Sequence, residues 1–470
     1  MSSIRLQRSR AVSTRVQHLC SAASALPLAI ALCVSPAAAQ TSDAVHHGDA
    51  ITVTGVRQAY RGDFALREIP QSIAEIDAEC REVISSDTAL AGRQEILLSI
   101  PAIGTITAMT LLADMPELGK LSVAMIGFGR IAKRHITAIQ ALSDRLELVA
   151  ICDPCLADAA TPTPEGAARH EHVDDLLAAR SYDLVCITSP SGMHREHVLA
   201  ALDAGAHVLA EKPLAMTLED ARVLRAHAAR AKRALFVCYQ MRSYPTLRLL
   251  RRAVQEGHLG NVHAVDVRVF WTRPQDYYDA APWRGTESLD GGVLLNQTNH
   301  YLDLLGWILG APVAISGREA TLARDIEASD SAAFVLEWPE CLGTFMASML
   351  TYPRNLEASM TILGERGTIR LGGPACDKIE VWELAADFTT PAEREDASAR
   401  TRQMRDSGHL TLYRDLLDTL DNATGQLPAV AGPPLIGAAI VDAARAASRT
   451  RQRVLLADLI PADCLEQADE

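Results

Sequence analysis

The chain has 470 residues and a formal net charge of −13 at neutral pH, a length that is typical of roughly two to four domains. This excess of acidic residues argues against a nucleic-acid-binding protein that relies on bulk charge. After the first forty residues no apolar run is long enough to cross a bilayer, so we expect no membrane-spanning helix beyond that point.

The first forty residues have the pattern of an export signal. Four arginines within the first fifteen positions precede an apolar segment, Leu26 to Val34. The small residues of a cleavage site, Ala37-Ala38-Ala39, follow that segment. The pattern predicts a signal-peptide-like segment over residues 1–40 and points to export of the chain.

Residues 41–121 carry two short resemblances to unrelated families. Ile51-Thr52-Val53-Thr54-Gly55 and Ile69-Pro70-Gln71-Ser72-Ile73 are similar to the plug domain of TonB-dependent outer-membrane receptors. The segment 97–121, through residues 100–108 and Pro116-Glu117-Leu118-Gly119-Lys120-Leu121, resembles the C-terminal piece of insertion-sequence transposases. The strands of a receptor barrel and the acidic residues of a transposase cannot be placed in the rest of the sequence. We therefore expect an irregular or disordered extension of fused fragments; the alternative is an accessory N-terminal domain.

A dinucleotide-binding unit is predicted from residue 122 onward. An apolar run, Ser122 to Ile126, suits a strand buried on both faces, and a glycine turn follows it, Gly127-Phe128-Gly129-Arg130-Ile131-Ala132. A helical pattern comes next, and a second apolar run from Leu146 to Cys152 ends on Asp153. Strand, glycine turn, helix, strand and terminal acid are the parts of a Rossmann unit.

Each residue of this unit has a physical reason to be there. Gly127 permits the tight turn, Gly129 lets a pyrophosphate approach the backbone, and Ala132 allows helix and strand to pack closely. The N-terminus of the helix offers free N–H groups to the phosphates. Asp153 can accept hydrogen bonds from ribose hydroxyls and would repel a 2′-phosphate, so we expect NAD to be preferred over NADP.

The rest of the chain divides into two parts with different patterns. Up to residue 243, apolar strand-like runs alternate with helical segments, which favours a parallel sheet with helices on both faces. From residue 244, runs of alternating apolar and polar residues predict a mostly antiparallel open sheet with one covered face. The predicted fold class is α/β, with a Rossmann domain over 122–243 and a second α/β domain over 244–470.

Residues 122–470 resemble the Gfo/Idh/MocA family of oxidoreductases. The matching motifs begin with the glycine turn and continue with Thr188-Ser189-Pro190, which is followed by His194 at the start of a helix. They end with Glu211-Lys212-Pro213 and with Gly291-Gly292-Val293-Leu294 ahead of His300. The resemblance implies a nicotinamide-binding domain followed by a domain for substrate binding and oligomerisation.

The resemblance also implies individual site residues. Lys212 takes the position of the active-site lysine, where the following proline biases the backbone toward an extended form. His300 takes that of the active-site histidine. Asn296 stands where the family often has aspartate, and an asparagine can orient substrate but cannot accept a proton. The implied cofactor contacts are Gly127, Phe128, Gly129, Arg130, Ile131, Ala132, Asp153, Ser189, His194, Glu211, Lys212 and Gln240.

A narrower resemblance covers residues 270–301. The segments 270–278, 281–286 and 290–301 look like the branch that oxidises UDP-N-acetylglucosaminuronic acid at C3 for surface polysaccharide synthesis, and Asn296 fits that branch. Arginines suit bidentate contacts with a uronate or a pyrophosphate, and aromatic rings can stack on sugar or uracil. The substrate residues expected on this basis are Arg273, Tyr277, Trp283, Arg284 and Asn299.

These observations predict an NAD-dependent dehydrogenase acting on C3 of that UDP-sugar, with either Lys212 or His300 accepting the hydroxyl proton. The alternatives are another dehydrogenase of the same family, acting on an inositol or an aldose, and a non-catalytic NAD-binding regulator. We expect a homo-oligomer, either dimer or tetramer, with no nucleic-acid partner and no metal site. NAD and UDP-sugars predict a cytoplasmic catalytic domain, in conflict with the signal-like segment.

Overall fold

The computed structural model describes residues 120–158, 161–422 and 435–459. The predicted export signal, the receptor-like segment and nearly all of the transposase-like segment lie outside these residues. Leu121, the last residue of the transposase-like segment, is the first residue of the first strand. Within the described residues, no helix combines the length and the apolar character that crossing a bilayer requires.

The first sheet has six strands, all parallel, in the order β3-β2-β1-β4-β5-β6. This is the strand order of a Rossmann fold, in which the order reverses between β1 and β4. The strands are β1 (Leu121–Ile126), β2 (Leu146–Cys152), β3 (Ala168–His170), β4 (Leu184–Ile187), β5 (His207–Ala210) and β6 (Leu235–Val237). The helices between them are α1 (Ala132–Ala141), α2 (Val173–Ala179), α3 (His194–Asp203) and α4 (Leu218–Ala231).

Both faces of this sheet are covered, as the apolar runs predicted. Val123 and Met125 of β1 pack in one apolar cluster with Ile139 of α1. Ala124 and Ile126, the alternate residues of the same strand, belong to a second cluster that includes Val198 of α3. A strand buried on both faces reads as a continuous apolar run, and this explains the absence of alternation in the sequence of β1.

The second sheet has eight strands in the order β13-β12-β11-β7-β10-β9-β8-β14. Among its described pairs only β7 and β10 run parallel, and the others are antiparallel, so the predicted mostly antiparallel sheet is confirmed. The strands are β7 (Val262–Phe270), β8 (Ala314–Ala320), β9 (Ser331–Glu337), β10 (Leu342–Ser348), β11 (Glu357–Gly364), β12 (Gly367–Gly372), β13 (Lys378–Leu384) and β14 (Val454–Leu455). The helices of this part are α5 (Pro245–Gln255), α6 (Gln275–Asp279), α7 (Asn299–Leu309), α8 (Pro391–Asn422) and α9 (Ile436–Thr450).

One face of the second sheet is covered and the other is open. Phe334 of β9 and Phe345 of β10 are buried in the same cluster as Ile440 of α9. The alternate residues Val335 and Met346 are 43% and 49% exposed on the other face. This alternation is the pattern that predicted a half-covered sheet. The homo-oligomer expected to use this domain stays a prediction.

Helix α8 returns from the second domain to the first. Its residues Tyr413, Leu416 and Leu417 are buried in the same apolar cluster as Val123 of β1 and Ile139 of α1. The helix therefore covers the Rossmann sheet on the face where α1 lies. A division of the chain at residue 243, as the sequence suggested, does not separate two independent cores, because the first core takes side chains from both sides of that boundary.

Candidate active site

The glycine turn after β1 is built so closely that residue 127 must be glycine. Gly127 has φ of +100°, and a Cβ there would lie 2.5 Å from the main-chain nitrogen of Ser189. Gly129 has no heavy atom within 4 Å of the position that a Cβ would take, so its backbone is open to a ligand. The turn combines a closed side that packs on β4 with an open side that a phosphate can approach.

Asp153 holds the glycine turn against the end of β2. One carboxylate oxygen accepts from the main-chain N–H of Phe128 at 2.7 Å, and the other accepts from Cys155 N–H at 2.8 Å. Each oxygen can still accept a second hydrogen bond, so ribose hydroxyls can donate to the same carboxylate. At the start of α1, Ile131 provides no side-chain cap, and the N–H groups of Ala132 and Arg134 donate to the carbonyl oxygens of Gly129 and Ile131.

These features fit a dinucleotide. Gln240, which the sequence predicted as a cofactor contact, has a buried Oε1 atom with no hydrogen-bond partner among the described residues. A buried polar atom without a partner is costly, and the amide group of a bound ligand can satisfy it. The open backbone at Gly129 and the start of α1, which has no side-chain cap, are suited to phosphates. The Asp153 carboxylate is suited to a ribose, and the Gln240 amide is suited to an amide group.

Ser189 lies on the loop after β4 and is half-buried, whereas His194 is the first residue of α3 and is buried. His194 is 1% exposed, and its two ring nitrogens lie 2.7 Å from the carbonyl oxygen of Pro213 and 2.9 Å from that of Ser189. Burial lowers the pKa of His194. The predicted cofactor contact at His194 is therefore corrected: the imidazole is enclosed by protein and ties the Ser189 loop to the loop after β5.

Glu211 is also turned away from the cleft. The side chain is 8% exposed, and its Oε1 atom lies 3.2 Å from Nε2 of both His135 and His409. Its Oε2 atom accepts from the main-chain N–H of Lys212 at 3.1 Å. Direct contact of Glu211 with a cofactor is corrected in the same way, because both carboxylate oxygens are occupied by donors of the protein.

Electrostatics explain why Glu211 is ionised in this buried position. Burial alone would raise its pKa, but hydrogen bonds from the two imidazoles outweigh burial and hold the pKa of Glu211 well below its usual value. An ionised carboxylate only accepts, so both imidazoles must carry a proton on Nε2. The Nδ1 atom of His135 is then an acceptor, and two donors lie near it: the Tyr413 hydroxyl at 3.1 Å and the Cys186 thiol at 3.3 Å. We call Glu211, His135, His409 and Tyr413 the Glu211 clamp.

The Glu211 clamp borders the one group of possible metal ligands found in the described part of the chain. Atoms of His135, Glu211 and Cys238 that can bind a metal lie within 4.8 Å of one another. His135 and Glu211 already satisfy each other, and burial raises the pKa of the Cys238 thiol well above its usual value. The arrangement therefore favours a hydrogen-bonded protein core over a metal site, since a thiol must lose its proton to bind a metal.

Lys212 extends from the end of β5 toward the second domain. Its Nζ atom donates to the main-chain oxygen of Asn296 at 2.7 Å, and the peptide bond to Pro213 is cis. Burial lowers the pKa of Lys212 against the opposing charges of Glu211 and Asp290. A lysine amine with a lowered pKa can act as a general base nearer to neutral pH.

His300 lies in the first turn of α7, and its Nδ1 atom is buried with no hydrogen-bond partner among the described residues. Burial, together with the Lys212 charge, lowers the pKa of His300 to about 3. The imidazole is therefore neutral near pH 7, and its free nitrogen can take part in a hydrogen bond with a substrate. Lys212, Asn296 and His300 thus lie near one another, and their catalytic role stays a prediction.

Asn296 has a partner that sequence reasoning missed. Its side-chain N–H donates to Asp290, a residue that is fully buried. An aspartate directly before two glycines, Gly291 and Gly292, is a signal that could have drawn attention, because a buried acid in a tight turn needs specific donors.

Three arginines surround the ring of Tyr277. The guanidinium carbons of Arg130, Arg273 and Arg284 lie 5.9, 5.4 and 4.6 Å from the ring centroid. Arg284 also lies 5.5 Å from the Trp283 ring. Arg130 belongs to the glycine turn and was predicted to contact the cofactor, so the structure brings the cofactor turn and the predicted substrate loop together. We call Arg130, Arg273 and Arg284 the arginine cluster.

The arginine cluster has no acidic partner among the described residues. Arg273 instead donates to Gln297 Oε1 at 2.9 Å and to the Thr272 carbonyl at 2.8 Å. The Nε atom of Arg284 is buried without any partner in the same described part of the chain. Burial lowers the pKa of Arg273, as expected for a cation that lacks a nearby carboxylate. Such a cluster is suited to an anionic ligand.

Asn299 is the predicted substrate residue that the structure does not bring into this group. It is 2% exposed, and its Oδ1 atom accepts from the Tyr239 hydroxyl at 3.2 Å. The reason is helical geometry: adjacent residues of α7 point in different directions, so Asn299 faces the core while His300 is half-exposed. The prediction for Asn299 is corrected to a role in packing.

Comparison with known proteins agrees with this geometry. A family model described as "Oxidoreductase family, NAD-binding Rossmann fold" matches residues 121–239, and the "GFO/IDH/MocA C-terminal domain" model matches residues 247–370. D-glucoside 3-dehydrogenase of Escherichia coli is 31% identical over 220 residues, which cover 46% of this chain and 62% of that protein.

Two solved structures are similar over most of their length. The WlbA dehydrogenase of Bordetella pertussis, in complex with NADH and UDP-GlcNAcA, is 38% identical, with a TM-score of 0.67. The match covers 73% of this chain and 99% of that one. The WlbA dehydrogenase of Chromobacterium violaceum, with the same two ligands, is 40% identical with a TM-score of 0.67 and covers 73% and 97% of the two chains.

Proposed function

The chain belongs to the Gfo/Idh/MocA family of NAD-dependent sugar and polyol dehydrogenases, and from this premise we propose that it oxidises C3 of UDP-N-acetylglucosaminuronic acid. The observation that carries the proposal is the arginine cluster around Tyr277. The substrate has a diphosphate and a carboxylate, whereas inositols and free aldoses are uncharged and would leave the three guanidiniums without an anionic partner. The similarity to two dehydrogenases solved with UDP-GlcNAcA supports the same choice.

We propose that NAD is held by the glycine turn, the start of α1, Asp153, Ser189 and Gln240. When bound, NAD supplies the hydride acceptor for oxidation of a secondary alcohol. His194 and Glu211 stabilise the two loops that border this site, and they do so from inside the protein.

The proton of the substrate hydroxyl goes to Lys212 in this proposal. A group whose pKa is about 3, as for His300, is a weak base, and an efficient general base has a pKa nearer to the working pH. Burial brings the pKa of Lys212 down toward that range. His300 is neutral and fixes the orientation of the hydroxyl by a hydrogen bond, and the Asn296 amide provides a further contact that cannot take the proton.

The proposal is tested with four substrates at equal concentration, by following NADH formation where no 2-oxo acid is present and formation of the oxidised substrate where a 2-oxo acid reoxidises the NADH. These are UDP-N-acetylglucosaminuronic acid, UDP-N-acetylglucosamine, myo-inositol and glucose, each with and without a 2-oxo acid that could recycle bound NADH. The second compound is the matched control, because it differs from the first only at C6, where a hydroxymethyl group replaces the carboxylate. We expect turnover of the uronate alone; turnover of inositol or glucose in its place would overturn the proposal.

We also propose that the catalytic domains act in the cytoplasm, since both NAD and UDP-sugars are cytosolic molecules. Edman sequencing of the native protein, with fractionation of the cells, tests this proposal. Recovery of the catalytic domains from the periplasm with an N-terminus after Ala39 would contradict it.

A further inference from the structure

We propose that Asp290 is a positioning residue of the dehydrogenase site, which fixes the amide of Asn296 and, through the Asn296 main chain, the amine of Lys212. The inference rests on the family activity and holds for any alcohol substrate, so it can fail or succeed independently of the UDP-sugar. Asp290 itself touches neither the cofactor turn nor the arginine cluster in the contacts of the described residues.

Asp290 is a buried acid that depends on neutral donors. Its exposure is 0%; one carboxylate oxygen accepts from the Gly285 N–H at 3.1 Å, and the other accepts from the Asn296 side chain. No lysine or arginine of the described chain forms an ion pair with it. Burial raises the pKa of Asp290 against the stabilising effects of Asn296, Gly285, Lys212 and Gly292. A buried carboxylate of this kind costs stability, so its retention suggests a purpose beyond packing.

The backbone after Asp290 is shaped to bring this carboxylate onto Asn296. Gly291 and Gly292 have φ of +70° and +67°, and a Cβ on Gly292 would lie 2.6 Å from the Ser329 oxygen. The chain then enters a π-helical turn, Val293–Gln297, which contains Asn296. Turns of this kind are uncommon in proteins and are frequent at functional sites.

The carboxylate determines which way the Asn296 amide points. An amide has an N–H₂ end that donates and an oxygen that accepts, whereas an ionised carboxylate can only accept. The N–H₂ end must therefore face Asp290, and the amide oxygen is left as the acceptor for a substrate hydroxyl. Without Asp290 the two ends of the amide could exchange by rotation, and the N–H₂ end could then face the substrate in place of the oxygen.

Lys212 interacts both with the main chain of Asn296 and with the charge of Asp290. Its Nζ atom donates to the main-chain oxygen of Asn296 at 2.7 Å, so a shift of the π-helical turn moves the amine. Its protonation also responds to the charge of Asp290, which favours the ammonium form. The charged or titratable groups that act on Lys212 or are acted on by it are Glu211, Asp290, Arg273, Cys238, His194 and His300.

The test compares Asp290→Asn with the unmodified enzyme. We expect kcat to fall about tenfold, the size expected for losing one hydrogen bond to a charged group, with unchanged NADH affinity. The acidic limb of the kcat profile, on which turnover rises as Lys212 loses its proton, should move to lower pH, because removal of a neighbouring negative charge makes the Lys212 ammonium easier to deprotonate. A purely structural role would lower the melting temperature and would leave the position of that limb unchanged, and this outcome would overturn the proposal.

A reciprocal exchange separates orientation from charge. In the double variant Asp290→Asn with Asn296→Asp, the carboxylate and the amide trade places and can pair again. We expect its kcat to exceed that of Asp290→Asn alone if the pairing is what matters, and additive losses would contradict the inference. Should Asp290→Asn be insoluble, Asp290→Ser, which keeps an acceptor for the Gly285 N–H, takes its place in both measurements.

Discussion

The Glu211 clamp and the arginine cluster differ in whether their charged groups have partners within the protein. In the Glu211 clamp, both oxygens of a buried acid are paired with donors of the protein. In the arginine cluster, three cations share one aromatic ring, and among the described residues no acid compensates them. Paired charges fix the position of a backbone, whereas unpaired charges store binding free energy for a ligand that brings the opposite sign.

The largest effect is expected between these two regions, at the catalytic amine. Lys212→Ala should lower turnover by about 10² to 10⁴, the usual range for losing a positioned proton-transfer group, and should leave NADH affinity almost unchanged. Steady-state kinetics and fluorescence titration with NADH measure the two quantities. Lys378→Ala, at an exposed lysine of β13, is the control; equal losses in both variants would disprove the assignment.

Breaking the Glu211 clamp should appear as a loss of stability. Glu211→Ala leaves the N–H groups of His135, His409 and Lys212 without their acceptor, and the expected loss in the free energy of unfolding is about 3 to 5 kcal/mol. Urea denaturation followed by circular dichroism gives this value. Glu340→Ala, at an exposed acid of the loop before β10, should change it by less than about 0.5 kcal/mol; a similar loss in both would remove the distinction.

Breaking the arginine cluster should weaken substrate binding without lowering the stability of the fold. Arg284→Ala should raise KM for the UDP-sugar by about 10- to 100-fold, the range for a hydrogen bond between charged groups. The melting temperature should stay the same or rise, because one of three neighbouring cations is removed. Arg400→Ala, which removes an arginine that is 62% exposed, is the matched control. An unchanged KM in Arg284→Ala would show that this cation does not face the substrate.

The smallest effect concerns pH and the neutral imidazole of His300. Its pKa of about 3 lies below the ordinary histidine value of 6.5, so the unfolded chain binds more protons than the folded chain between these two values. The contribution of His300 to the free energy of unfolding is therefore fully present above about pH 6.5 and is lost as the pH falls toward 3. His300→Asn should reduce the slope of unfolding free energy against pH in this window, and His263→Asn, at an exposed site, should leave the slope unchanged.

The parts of the site that sequence reasoning identified are those that local chemistry determines. Gly127 is required by a positive φ and a close neighbour, and β1 is recognisable because a strand covered on both faces lacks alternation. The α/β class and the mostly antiparallel second sheet follow from the same periodicities. The motif around Lys212 predicted an active-site lysine; that its amine donates to the main-chain oxygen of Asn296 is a finding of the structure.

The parts that were missed depend on contacts between distant segments. His135 and Tyr413 are 278 positions apart, and nothing in the spacing of either one indicates that their side chains meet. Arg130 was assigned to the cofactor because its neighbours in the chain are, yet its guanidinium lies 5.9 Å from the ring centroid of Tyr277 in α6 of the other domain. The orientation of Asn299 depended on how α7 packs, which a motif ending in His300 does not specify.

The return of α8 to the first domain limits how the molecule can be dissected or recombined. A protein engineer who cut the chain at residue 243 would remove His409 from Glu211, and Tyr413, Leu416 and Leu417 from the sheet core. The nucleotide-binding domain therefore cannot be transferred to another protein as residues up to 243 alone. A chimera that exchanges specificity halves between relatives must carry residues 409–420 with the first domain, although they lie some two hundred positions downstream in the gene product.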